Sequence, residues 1–149
     1  MLPAARTPLA ELSPPIALGA LDGRYRSAVA PLVDHLSEAA LNRARLHVEV
    51  EWLIHLVGGD DTVVPGADRL STGEQDSLRA LVLDFDADAI AQLKEIEAET
   101  VHDVKAIEYY LRRRLPEILE GGADRDTRAV ALGELVHFAC TSEDINNIS

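Results

Sequence analysis

Apolar residues recur along one stretch at alternating intervals of four and three: Leu32, Leu36, Ala39, Leu46, Val50, Leu53 and Val57, with Arg43 on the same stripe. Such spacing returns side chains to one face of an α-helix and rules out a strand, whose period is two. It predicts one long helix from about Ser27 to Val57, packed lengthwise against other helices. Gly58-Gly59 ends it, as glycine does after a last helical turn. A chain built on such a helix, with aromatics at only 4% and Ala, Leu and Glu abundant, belongs to the all-α class.

The rest of the chain keeps to helical punctuation. Residues 60 to 71 read as a loop with Pro65 and Gly66. Ser71 or Thr72 opens a second helix with Glu74 and Gln75 in its first turn. That helix breaks near Leu83-Asp84-Phe85-Asp86 and resumes with Ile90, Leu93 and Ile96 or Glu97 facing inward. A third helix follows Thr100 with Val104, Ile107, Leu111 and Leu115 buried, and Glu108 placed to pair with Arg112. Pro116 and Gly121-Gly122 interrupt the chain, and a fourth helix is expected from about Asp126 to Ala139. No segment alternates as a strand would.

The expected division is an irregular arm over 1-26, a helical domain over 27-140, and the first turns of a further helical unit over 141-149. The arm holds four of the seven prolines and ends in LDGRY. Thr141-Ser142-Glu143-Asp144 reads as a helix start. Only INNIS follows it, too few residues for an independent helix, which suggests truncation. Without its usual partner helices, the Leu32–Val57 stripe is expected to be exposed and prone to self-association.

A net charge of −12 disfavours nucleic acid and anionic membrane as partners, because both demand basic surfaces. The one basic run, Arg112-Arg113-Arg114, sits near a helix end, where cations suit the dipole. No apolar stretch reaches the length of a membrane span, and the Pro-broken first residues lack a signal-peptide core. Cys140 has no partner for an internal disulfide and reads as a small buried hydrophobe. Cytoplasmic location is the simplest assignment.

Chemistry-bearing residues gather at two loop-to-helix junctions. Thr100-Val101-His102-Asp103 precedes one helix, and Thr141-Ser142-Glu143-Asp144 precedes another. Helix starts offer backbone N–H groups that suit phosphate or carboxylate. Arg24 and Tyr25 add a guanidinium fork and a phenol. From spacing alone, an anion cradle and a pair of ordinary capped helix starts both remain open. His35, His47, His55 and His137 form no metal pattern, and no HExxH, Cys/His cluster or Gly-rich phosphate loop occurs.

Three segments carry a resemblance: LDGRY at 21–25, HDVKAIEYYL at 102–111 and HFACTSEDINN at 137–147, with VEVEWL at 48–53 preceded by Arg45. Together they resemble the adenylosuccinate lyases, in particular the amino-terminal portion of the bacterial branch. The resemblance implies the fumarase/aspartase-like fold, all-α and homotetrameric around a central helical-bundle domain at whose start this chain stops. It implies a cytoplasmic enzyme of purine biosynthesis that eliminates fumarate from adenylosuccinate, giving AMP, and from the succinylated aminoimidazole-carboxamide ribotide. No cofactor and no metal are implied.

By the same resemblance Arg24 and Tyr25 bind the phosphate end of the nucleotide, His102 and Asp103 line the substrate site, and Thr141 and Ser142 contact the succinyl or nucleotide portion. Val101 departs from the pattern, since related bacterial sequences carry Asn or Arg directly before His-Asp. The family's general acid lies in a Thr-His-Gly-Gln segment and its general base on a serine-bearing mobile loop; neither is in this sequence. The chain is therefore expected to bind substrate without catalysing its breakdown, with His102 at most an accessory. The alternative is a non-catalytic helical module that binds or modulates a full-length lyase.

Overall fold

A computed structural model describes residues 16–59, 63–121 and 123–149, and every regular element among them is helical. In chain order these are α1 (Arg26–Val29), a 3-10 turn (Ala30–Leu32), α2 (Val33–Leu36), α3 (Glu38–Val57), α4 (Thr72–Leu83), α5 (Ala87–Thr100), α6 (Asp103–Ile118), α7 (Arg125–Gly133) and α8 (Ser142–Ile148). Most of the proline-rich arm, Asp60-Asp61 and Gly122 lie outside the described residues.

The single helix expected over Ser27–Val57 is in fact divided. Pro31 has no N–H to donate and falls in the 3-10 turn. Ser37 then takes an extended backbone, accepts the Ala40 N–H at 3.1 Å through its hydroxyl oxygen and donates to Val33 O at 2.7 Å. A serine that caps the following helix cannot also continue the preceding one. Leu32 and Leu36 are consequently exposed, whereas Ala39, Arg43, Leu46, Val50, Leu53 and Val57 on α3 are buried.

That stripe is the centre of the core. α3 packs against α4, α6 and α8, and α6 packs against α5 and α7. Leu46, Leu53, Leu78, Phe85, Ile96, Ile107, Leu111, Leu115 and Leu132 are fully buried in one apolar cluster. The expected exposure of the stripe from Ala39 to Val57 is thus overturned: the chain's own helices cover it. Each buried residue of this size is worth roughly 1.5–3 kcal/mol of transfer free energy.

α4 begins with a reciprocal cap in which Ser71 Oγ accepts the Glu74 N–H at 3.2 Å and the Ser71 N–H donates to Glu74 Oε2 at 2.8 Å. Asp86 caps α5 through the amides of Asp88 and Ala89. α6 runs past Pro116 to Ile118, because a proline in the last turn forfeits only its own N–H bond while Leu115 and Leu119 stay buried. The expected Glu108–Arg112 pair gives way to two others: Lys105 Nζ donates to Glu108 Oε2 at 2.9 Å, and Arg112 lies 3.5 Å from Glu134.

α7 stops at Gly133, six residues short of the expected Ala139. Residues 134–139 form turns, with His137 and Ala139 in the left-handed region at φ 64° and 60°. Two contacts to α3 hold this segment off the helical path: Trp52 Nε1 donates to Phe138 O at 2.8 Å, and His137 Nδ1 meets Glu49 Oε1 at 2.5 Å. Cys140 is half-buried instead of fully buried, and burial pushes its thiol pKa up. Among the described residues no helix is long and apolar enough to cross a membrane.

Candidate functional site at two helix starts

α5 and α6 are separated by only Val101 and His102. Val101 makes the reversal in the left-handed region (φ 51°, ψ 33°) and points 88% of its surface at solvent. A β-branched residue is strained there. His102 is extended and caps α6 with its ring, Nδ1 accepting the Lys105 N–H at 3.2 Å. An accepting Nδ1 places the proton of a neutral ring on Nε2. Thr100 Oγ1 steadies the turn by donating to His102 O at 3.1 Å.

Asp103 opens α6. Its Oδ1 accepts the Val104 N–H at 2.9 Å, and its Oδ2 pairs with Arg45 Nη2 at 2.8 Å. Burial alone would raise its pKa, but the Val104 amide and the Arg45 charge outweigh that and hold the carboxyl below its usual value. Asp103 is therefore an anion committed to Arg45.

At the second junction Thr141 flanks α8. The Thr141 N–H donates to Asp144 Oδ2 at 2.7 Å, and its hydroxyl donates to the same oxygen at 3.1 Å. These two bonds keep the Asp144 carboxyl pKa low. The Thr141 hydroxyl is thus occupied by Asp144, and Ser142 is left as the hydroxyl turned toward the first junction. Ser142 Oγ stands 3.5 Å from His102 Nε2. Two segments forty residues apart in sequence therefore meet at one histidine and one serine.

The structure does not bring every expected residue there. Arg24 and Tyr25 are exposed, with the Arg24 guanidinium 5.8 Å from the Tyr25 ring centre. Among the described residues no hydrogen bond or ion pair joins them to His102 or Ser142. Concavities of about 610, 430 and 380 Å³ lie between α4, α5 and α6, beside Val101 at the end of α5, and on α3 with the end of α8. Among the described residues no three His, Cys, Asp or Glu side chains converge on a point.

A buried polar seam on α3, unmarked by the periodicity, supports the junctions from below. Asn42, Arg45 and Glu49 are all buried. Arg45 Nη1 donates to Asn42 Oδ1 at 3.2 Å and Nε to Asn146 Oδ1 of α8 at 3.0 Å. Glu49 faces His137, whose Nε2 lies 3.8 Å from Glu108 Oε1. The legible signal was polar residues at helical spacing, 42, 45 and 49, beside an apolar stripe. Buried charges of this kind need partners from other elements.

Comparison with known proteins places these residues in a wider setting. Over 140 residues the chain is 43% identical to the adenylosuccinate lyase of Haemophilus influenzae, a match covering 93% of this chain and 28% of that one. It is 39% identical over 139 residues to the Escherichia coli adenylosuccinate lyase and 35% identical over 133 residues to that of Legionella pneumophila, covering 93% and 89% of this chain. The chain spans about 28% of the length of the curated relatives it matches. No protein-family model matches it.

Proposed function

We propose, starting from a chain that matches bacterial adenylosuccinate lyases along 93% of its own length, that it supplies part of the substrate-binding surface of such a lyase. Its substrate class is the succinylated purine nucleotide and its ribotide precursor. The observation that carries this reading is the approach of Ser142 Oγ to His102 Nε2 at 3.5 Å, which gathers two otherwise distant helix starts into one exposed polar surface. His102 offers Nε2–H and Ser142 offers O–H, both donors suited to phosphate or carboxylate oxygens. Arg24 and Tyr25, exposed on the arm, contribute a mobile-length guanidinium and a phenol to the same anion, and Thr141 and Asp103 shape its edges.

Elimination of fumarate requires one group to remove the proton beside a carboxylate and another to protonate the departing nitrogen as the carbon–nitrogen bond breaks. Neither role falls to the residues gathered here. Asp103 is held by Arg45 and Asp144 by Thr141. The general acid and base belong to further polypeptide of the enzyme. Residues 27–140 then act as the amino-terminal helical domain, and 141–149 open the next, within a homotetrameric cytoplasmic enzyme of purine biosynthesis.

Two measurements test this. The 149-residue chain titrated with AMP is expected to shift the nuclear magnetic resonances of His102 and Ser142, and unmoved signals there would refute the site. Incubated with adenylosuccinate, the same chain is expected to release no fumarate; steady release would refute the division of labour.

A further inference from the structure

Arg45 is an unusual choice for the inner face of a helix. Its side chain is 8% exposed, yet three of its nitrogens are each directed at a different acceptor. Nη2 pairs with Asp103 Oδ2 on α6 at 2.8 Å, Nε donates to Asn146 Oδ1 on α8 at 3.0 Å, and Nη1 donates to Asn42 Oδ1 on α3 itself at 3.2 Å. Asp103 is the neighbour of His102 in sequence, and Asn146 is one helical turn beyond Ser142. Two arms of one guanidinium therefore end on the two helices, α6 and α8, whose opening residues meet.

We infer that Arg45 is a positioning residue: by gripping Asp103 and Asn146 in one rigid plane, it sets the distance and orientation between His102 and Ser142. The inference rests on the function proposed above only for what the pair binds; the geometry it explains stands apart from any ligand. A planar fork with five donors can address acceptors in divergent directions without giving up either, whereas an ammonium is a single point on a flexible stem. Cohesion of the fold has other sources. Ile145 anchors α8 in the interior, and Val104, Ile107 and Leu111 anchor α6. What those apolar contacts leave free is the rotation and slide of each helix start, because dispersion contacts are weakly directional. The guanidinium removes that freedom.

The inference also accounts for Asp103, which the sequence presents as a site residue. Its carboxylate faces Arg45 and its own helix amide, so it acts on the site through placement.

The test uses the 149-residue chain with Arg45→Lys and Asn146→Ala. The second cuts one arm of the clamp at an exposed residue and leaves the core intact, so it reports even if the first unfolds. The readouts are the ring nitrogen resonances of His102, the amide of Ser142 and the affinity for AMP. Both variants are expected to keep their helix content while the His102–Ser142 contact is lost and AMP affinity falls about tenfold. Ile145→Ala, which loosens α8 by packing alone, is expected to lower the urea midpoint while leaving the His102 ring signals in place. Parental His102 and Ser142 signals in both Arg45→Lys and Asn146→Ala would overturn the inference. Absence of AMP binding by the parent would instead count against the proposed function, with the ring signals still deciding the role of Arg45.

Discussion

Glu49 Oε1 stands 2.5 Å from His137 Nδ1, joining the middle of α3 to a residue eighty-eight positions later in the chain. Glu49 has no solvent exposure, and its second oxygen, Oε2, is buried without a hydrogen-bond partner. The contact fixes the left-handed turn at His137 that leads into Thr141 and Ser142. It is a supporting bond for the site and a costly one to bury.

Burial pushes the Glu49 pKa above its ordinary 4.5, and His137 only partly opposes it. A carboxyl whose folded pKa is raised contributes stability below the unfolded value and loses it as pH climbs through the folded value. Urea midpoints are expected to fall from acid toward neutral pH by a component that Glu49→Gln abolishes. Glu49→Ala, which strands His137, is expected to cost about 1–3 kcal/mol in the same measurement.

Glu74 shows the opposite sign. Burial alone would raise its pKa, but the Arg128 guanidinium and the amides of Ser71 and Glu120 bring it down to about 2. Its Oε2 takes Arg128 Nη2 at 2.9 Å, and its Oε1 takes the Glu120 N–H at 2.8 Å, tying α4 to the end of α6 and to α7. A depressed carboxyl stabilises above the unfolded value, and the gain is lost as pH falls through about 2. At neutral pH it amounts to about 3 kcal/mol, by the conversion of pKa difference to free energy. Denaturation followed through acid pH is expected to show a slope that Glu74→Gln removes.

Val101→Asn should stabilise the chain. The present side chain is strained at φ 51° and packs against nothing that would repay it. Asn tolerates the left-handed region, so a gain of about 1 kcal/mol, or about 3 °C in melting temperature, is expected. Val101→Gly is expected to gain less, because glycine also frees the unfolded chain. Calorimetry distinguishes the three.

Gly58→Ala should destabilise. A Cβ there would lie 2.6 Å from Ile54 O and 3.0 Å from Ile54 Cγ2, with Gln75 at 3.1 Å on the other side. Backbone on one side and a hydrogen-bonded Gln75 on the other leave little room to yield. A loss of about 1–3 kcal/mol is expected from urea unfolding.

Helix identity was legible in the sequence wherever an apolar period and helical punctuation agreed: Ser71 with Glu74, the break at Leu83–Asp86 before α5, and the Val104–Ile107–Leu111–Leu115 stripe. It failed at Ser37, where the apolar period runs straight through a serine whose hydroxyl caps the next helix. It failed again at Gly133, where bonds from Trp52 and Glu49, far off in sequence, pull residues 134–139 out of a helix that local preference favours. His102 and Ser142 were marked by their positions at helix starts, and the resemblance implied one shared site, but nothing local encodes which helix starts adjoin. Arg45 was passed over for a related reason. A charged residue on a helix reads as solvated until its partners on α6 and α8 are known.

Arg45 and Asn146 are 101 residues apart, which gives the assembly an order in time. Synthesis at roughly 5–20 residues per second leaves an interval of about 5–20 s between the appearance of the guanidinium and of its last acceptor. Within that interval α3 through α6 are completed and can collapse, while the serine that faces His102 is still unmade or untethered. The meeting of His102 with Ser142 therefore comes after the helices beneath it, and a nascent polypeptide stalled before residue 146 would carry α3 through α6 with the Arg45 clamp still open.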